Sequence, residues 1–324
     1  MFRRILIGLV VVVAAIYAWN ASWLAPKPAG DLRLIAHRGM HQNFDLAGVQ
    51  NDTCTATRIR TPIVPEIENT LPAMAGAFAA GADVVELDVH PTTDGKFAVF
   101  HDWTLDCRTE GTGETRSHDM AYLKTLDVGY GYTADGGKSF PLRSTGVGMM
   151  PELSEVLAAM PDKRFIINFK SNEGREGDML AAFVAAHPEW QDAVWGAYGG
   201  DNPTLEAKAK LPALNAWSRK GLTACLLQYE GYGWTGIIPP PCRDTVLMVP
   251  INYAGWLWGW PNRFAQRMAD AGTKIILIGP FAAGDAGTSG IDTPELAAQI
   301  PEGFPGYVWT NEITAVAPLL KSKD

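Results

Sequence analysis

The sequence predicts a (β/α)8 barrel behind an apolar N-terminal helix, and three observations point to it. Short apolar, β-rich runs alternate with Ala-rich helical stretches, the pattern of parallel βα units. Eight such runs follow one another, enough to close a barrel. The chain of 324 residues, less its apolar start, falls in the size range of one such barrel, for which about 250 residues is typical.

The predicted strands are 32–36, 83–89, 97–100, 165–170, 193–197, 246–251, 274–278 and 306–310. Predicted helices cover 70–80, 152–159, 178–187, 262–271 and 294–299. Thr70 and Thr293 are capping candidates with Pro72 and Pro294 just inside the helix starts, and Gly81 and Gly272 follow helix ends. An open doubly wound sheet would use the same units, but no glycine-rich dinucleotide loop follows the first strand. Two stretches lengthen the bare barrel: 40–67, rich in Asn, Thr, Asp and Pro, and an inserted segment of about 103–150 after the third strand. Both are expected to shape the mouth at the carboxyl ends of the strands, where barrel enzymes keep their sites.

Arg3 and Arg4 precede an uncharged stretch, 5–26, long enough to span a bilayer. The flanking charge predicts a cytoplasmic N-terminus with the body outside. A cleaved signal peptide would look similar, although no clean Ala-x-Ala site follows the apolar run. Either way the expected division is an anchor or signal segment over 1–26 and an exported barrel over 27–324, periplasmic or extracellular. Four cysteines suit that compartment and allow three pairings. Loop proximity favours Cys54 with Cys107 and Cys225 with Cys242, and no Cys/His spacing suggests zinc. With 47% hydrophobic and 19% charged residues the body can bury a full core. A formal charge of −8 argues against nucleic acid as a partner, because phosphate-backbone binding draws on clustered Lys and Arg.

The chemistry gathers at strand ends. His37-Arg38 close the first strand and His101-Asp102 follow the third, while Glu86 and Asp88 alternate with apolar neighbours and so share one face. Two carboxylates one pleat apart can hold a hard cation, and the apolar Val84, Val85, Leu87 and Val89 around them argue for a buried strand. Two histidines beside such a cation could pass protons to and from a phosphate or ester, with Asp102 orienting His101. Arg38 offers a planar fork for phosphoryl oxygens. Tyr253, Trp256, Trp258 and Trp260 form an aromatic cluster after the sixth strand, either packed or exposed as a lip toward a headgroup or membrane interface.

The order His37-Arg38-Gly39, Glu68-Asn69-Thr70, Glu86-Leu87-Asp88 and His101-Asp102 resembles the glycerophosphodiester phosphodiesterase family. The likeness continues through Leu105-Asp106-Cys107-Arg108-Thr109, Met150-Pro151-Glu152-Leu153 and Ile166-Ile167-Asn168-Phe169-Lys170, and fades after about residue 190. The resemblance implies a barrel enzyme that hydrolyses glycerophosphodiesters to an alcohol and glycerol 3-phosphate. It implies His37 and His101 as acid and base, one divalent ion, Ca2+ or Mg2+, on Glu86, Asp88, Glu68 and position 168, and Arg38, Lys170 and Trp309 at the substrate. Glu68 could equally partner Arg38. The family usually places Glu at position 168, so Asn168 is a departure that removes a charge from the expected ligand set. Rival readings are a phospholipase D-like or C-like barrel acting on intact lipids or lysolipids, and a non-catalytic glycerophosphodiester-binding scaffold.

Overall fold

A computed structural model describes residues 2–50, 52–282 and 289–321. Its strands are β1 (Arg33–His37), β2 (Val84–Pro91), β3 (Phe97–Val99), β4 (Phe165–Phe169), β5 (Val194–Gly199), β6 (Asn215–Ala216), β7 (Val246–Pro250), β8 (Lys274–Ile278) and β9 (Tyr307–Thr310). Eight of them run parallel in the order β6-β5-β4-β2-β1-β9-β8-β7. The sheet curls until its two ends meet, where Thr245 Oγ1 donates to the carbonyl of Ala216 at 3.2 Å. This is a nearly closed (β/α)8 barrel.

Its layers follow from strand alternation. Ile35, Val84, Ile166, Val246, Ile276 and Trp309 turn inward and fill the barrel, while their neighbours Leu34, Val85, Ile167, Leu247, Leu277 and Val308 pack outward against the helices. Each such side chain, fully buried, contributes about 1.5–3 kcal/mol relative to exposure. The surrounding helices are α2 (Leu71–Ala79), α5 (Arg175–Ala186), α6 (Asp201–Lys210), α7 (Arg219–Tyr232), α9 (Asn262–Asp270) and α11 (Ile313–Lys321). Shorter ones, α3 (Met120–Leu123), α4 (Leu153–Ala159), α8 (Ile251–Ala254) and α10 (Pro294–Ala297), complete the set, and α1 (Phe2–Asn20) precedes the barrel. Thr70 caps α2 from its side chain and Thr293 caps α10, as their spacing from Pro72 and Pro294 led us to expect.

One predicted strand has a different role. The segment 97–100 does form a strand, but β3 returns antiparallel along β2, Val89 opposite Val99, and is not one of the eight staves. The stave missing from the sequence reading is β6, only two residues long. The 103–150 insertion therefore leaves the returning arm of a hairpin. It packs with the 40–67 loop around a core of its own, with Ile59, Ile67, Leu105, Leu126, Val128 and Tyr132 at its centre. The Cys54–Cys107 disulfide ties the two insertions together, and Cys225–Cys242 joins α7 to the turn before β7.

Candidate active site

Strand register assembles the centre. His37 ends β1 beside Glu86, and two residues on Asp88 lies beside Asn168, with Tyr198 next in the same row. Glu86 and Asp88 are wholly buried, so every oxygen needs a partner. Glu86 accepts from the hydroxyl of Tyr198 at 2.8 Å and the backbone N–H of Arg38 at 3.2 Å. Asp88 accepts from Asn168 Nδ2 at 2.8 Å and Asn69 Nδ2 at 2.9 Å, with Lys170 Nζ 3.4 Å and Arg38 Nε 3.3 Å away.

Backbone strain is concentrated here. Arg38 and Asn69 both take left-handed φ, 57° and 60°, and Gly39 follows at 78°. A Cβ on Gly39 would stand 2.8 Å from the carbonyl carbon of Ala73 in α2, so the turn also needs glycine for the close approach. A left-handed non-glycine residue costs roughly 1–3 kcal/mol and persists only where its surroundings over-determine it. For Arg38 they do: Nη1 meets Glu68 Oε1 at 3.1 Å, and Nε reaches both Asp88 and His37 Nε2. For Asn69 they do as well, through the paired amide contact to the Asp88 backbone and side chain.

The two histidines are held by different partners. Asn311 gives its Nδ2 to Asp292 at 2.8 Å, which leaves its Oδ1 facing His37 Nδ1 at 2.7 Å. His37 therefore carries its proton on Nδ1 and points the Nε2 lone pair inward, where Arg38 Nε caps it at 3.1 Å. His101 Nδ1 lies 2.7 Å from Asp102 Oδ1, so the same tautomer is set by a carboxylate. Burial and then the Arg38 charge hold His37 well below the usual imidazole range. Burial, Arg38 and Lys170 bring His101 down to about 4. Both rings are neutral at neutral pH.

Arg108 joins this centre to the inserted lobe. It is 1% exposed and reaches Asp102 Oδ2 at 2.9 Å, Glu68 Oε2 at 3.0 Å, Thr55 Oγ1 at 2.6 Å and the hydroxyl of Tyr132. Each oxygen of Glu68 thus meets a different arginine. Trp309 is buried with its ring 4.9 Å from that of His37, and Tyr198 stacks on Trp217. The structure brings His37, Arg38, Glu68, Glu86, Asp88, His101, Asn168, Lys170 and Trp309 to one end of the barrel. Sequence reasoning gave no role to Asn69, Arg108, Tyr198, Asp292 or Asn311. Asn69 and Arg108 stood inside quoted motifs, and Asn311 stood two residues past Trp309.

The donor set suits a hard cation. Burial and then neighbouring Asp88 push the Glu86 carboxyl up to about 8, the sign of paired acids whose charge the local cations do not fully offset. Burial also opposes ionisation of Asp88, but Lys170, His101 and Arg38 outweigh it and hold that carboxyl below its ordinary range. Among the described residues no three His, Cys, Asp or Glu side chains converge as a metal cluster. The fit is thus to an ion on two carboxylates with the rest of its shell from amide, water or substrate oxygens, as Mg2+ is commonly held.

Fold and site together define a (β/α)8-barrel protein with a buried His, Arg and carboxylate centre at the carboxyl ends of its strands. Residues 37–180 match the family model described as the glycerophosphoryl diester phosphodiesterase family. The chain is 36% identical over 107 residues to a glycerophosphodiester phosphodiesterase of Caldanaerobacter subterraneus subsp. tengcongensis, a match covering 33% of this chain and 40% of that relative. A crystal structure of a glycerophosphodiester phosphodiesterase from Agrobacterium tumefaciens str. C58 superposes with a TM-score of 0.58 at 19% identity, covering 89% of this chain and 99% of that one. An Oleispira antarctica phosphodiesterase, solved in complex with the product sn-glycerol-3-phosphate, superposes with a TM-score of 0.54 at 19% identity over 93% of this chain and 99% of its own.

Proposed function

We propose that the protein hydrolyses glycerophosphodiesters to an alcohol and glycerol 3-phosphate, with His37 and His101 moving the protons. The observation that carries this reading is the convergence of two neutral imidazoles, each with its Nδ1 proton engaged, on a buried carboxylate pair flanked by Arg38 and Lys170. The glycerol 3-phosphate held by the Oleispira antarctica phosphodiesterase is the product such a reaction would release.

The partners of the two rings divide the labour. His37 faces a neutral amide, which favours the neutral ring, so it takes the proton from the glycerol hydroxyl as that oxygen attacks phosphorus. His101 faces the Asp102 carboxylate, which stabilises an imidazolium, so it is the ring that first takes up a second proton from solvent on Nε2, beside the anionic phosphodiester, and then delivers that proton to the leaving alcohol. Reversal of these roles lets water open the cyclic phosphate. Arg38 swings its fork from His37 Nε2 to the phosphoryl oxygens, and Lys170 meets the charge that builds there. Glu86 and Asp88 would hold a divalent ion, Ca2+ or Mg2+, with Asn168 beside them; when bound, it would supply Lewis-acid stabilisation of phosphoryl charge. Glu68, paired with two arginines, would stand behind that shell. Segment 5–26 would anchor the barrel outside the cytoplasm, in keeping with its two disulfides.

The test is release of glycerol 3-phosphate from glycerophosphocholine by wild type, His37→Ala and His101→Ala. Loss of turnover in both variants with the fold intact is expected, and undiminished turnover in either would remove that histidine from the reaction.

A further inference from the structure

We infer that α1 is retained and seats the barrel on the bilayer through an apolar strip running from its root to the catalytic rim. The inference rests on the anchor reading of segment 5–26 and is independent of the chemistry proposed above.

The end of α1 is built into the barrel. Asn20 is buried; its Nδ2 donates to the carbonyl of Trp234 at 2.8 Å, and its Oδ1 accepts from Arg267 Nη1 at 2.9 Å. Arg267 is itself buried and meets only Asn20, the Tyr229 hydroxyl and the Gly233 carbonyl, with no carboxylate partner among the described residues. Cleavage beyond Asn20 would leave that guanidinium short of an acceptor, a costly state for a buried charge. Ser22 Oγ accepts from the backbone N–H of Asn262, and the Trp19 indole lies so close over Gly236 that a Cβ there would stand 2.8 Å from its Nε1. Before this root the helix is exposed, its apolar window being 0% buried. Its 19 residues extend roughly 28 Å, the thickness of a hydrocarbon core.

A bilayer that holds α1 must end where α1 meets the barrel, and there the surface is apolar. Trp23, three residues past Asn20, is 71% exposed; Trp234, whose carbonyl Asn20 meets, is 38% exposed, and Ile237 close after it 60%. Trp258 Nε1 donates to the carbonyl of Glu230 at the end of α7, bringing the loop after β7 onto the same face. That loop continues through Trp256, 73% exposed, to Tyr253 at the carboxyl end of β7. Isolated exposed apolar residues are ordinary, but a run rich in tryptophan beside a membrane-length helix matches the headgroup zone, where amphipathic rings settle.

The experiment uses the full chain in phosphatidylcholine nanodiscs. All four native cysteines are disulfide-bonded, so spin labels can be placed singly by Val11→Cys in α1, Ile237→Cys and Trp256→Cys on the strip, and Val147→Cys in the inserted lobe. Oxygen and a nickel chelate report the depth of each label. The expected result is position 11 in the hydrocarbon, 237 and 256 at headgroup depth, and 147 in water. Aqueous behaviour at 237 or 256 with position 11 still embedded would overturn the seat. A mature N-terminus beyond Asn20 would overturn retention.

Discussion

Asp102 and Arg108 show how much of the site depends on residues one step behind the imidazoles. Arg108 satisfies Asp102 and Glu68 at once, so Arg108→Met would leave the buried Glu68 and the largely buried Asp102 without their main partner. The expected cost is about 3–5 kcal/mol of stability, read from denaturant unfolding, with turnover lost along with the orientation of His101. Burial works against ionisation of Asp102, yet Arg108 and His101 hold its carboxyl well below the ordinary range. The folded protein therefore binds that proton more weakly than the unfolded chain does. The stabilisation is fully present above an unfolded value of about 4 and is lost as pH falls toward the folded value. Unfolding followed across acid pH should show a steep loss below about pH 4 that is shallower in Asp102→Asn. Asn311→Ala removes the partner that aims His37, and about a 10²-fold fall in kcat with KM little changed is expected from steady-state kinetics. The acids and histidines could be read from motifs because charge at a strand end is conspicuous. Asn311 and Asp292 could not, because their importance lies in a contact between segments 19 residues apart that no local pattern encodes.

The elements divide in the same way. Helices with clear caps, such as α2 and α10, could be read directly, and so could the alternation in β2. Helix α6 escaped because Pro203, Leu205, Ala207 and Ala209 alternate and make no helical stripe, and α11 because Pro318 interrupts its apolar run. The short β6, reduced to Asn215 and Ala216, leaves no apolar run to detect, while the apolar 97–100 run reads as a stave although it folds back as a hairpin. The pairing of the inserted lobe was legible only as a preference among three connectivities. Cys54→Ser with Cys107→Ser should cost about 2–5 kcal/mol. It should also reduce turnover, because Thr55, next to Cys54, and Arg108, next to Cys107, are bonded to each other behind His101. Reduced thermal stability with unchanged turnover would mean that the lobe braces the fold alone. Gly39→Ala should lower both, since its Cβ meets the α2 backbone at a left-handed turn.

At the scale of the molecule, an acidic protein of net charge −8 keeps a small set of cations, Arg38, Arg108 and Lys170, at one end of its barrel. On the proposed function these cations would draw an anionic phosphodiester to that end of the barrel. They leave Glu86 short of compensation, which is why a divalent ion enters the account. The central claim is that His37 takes a proton from the attacking hydroxyl and His101 gives one to the leaving alcohol, on a phosphodiester held beside a cation on Glu86 and Asp88. Its most direct test is glycerol 3-phosphate release from glycerophosphocholine by the full chain, before and after exhaustive chelation, with Ca2+ and Mg2+ restored singly. The account expects activity to vanish on chelation, to return with one of the two ions, and to stay absent in Glu86→Gln with Asp88→Asn. Full turnover by protein shown to be free of metal would contradict it.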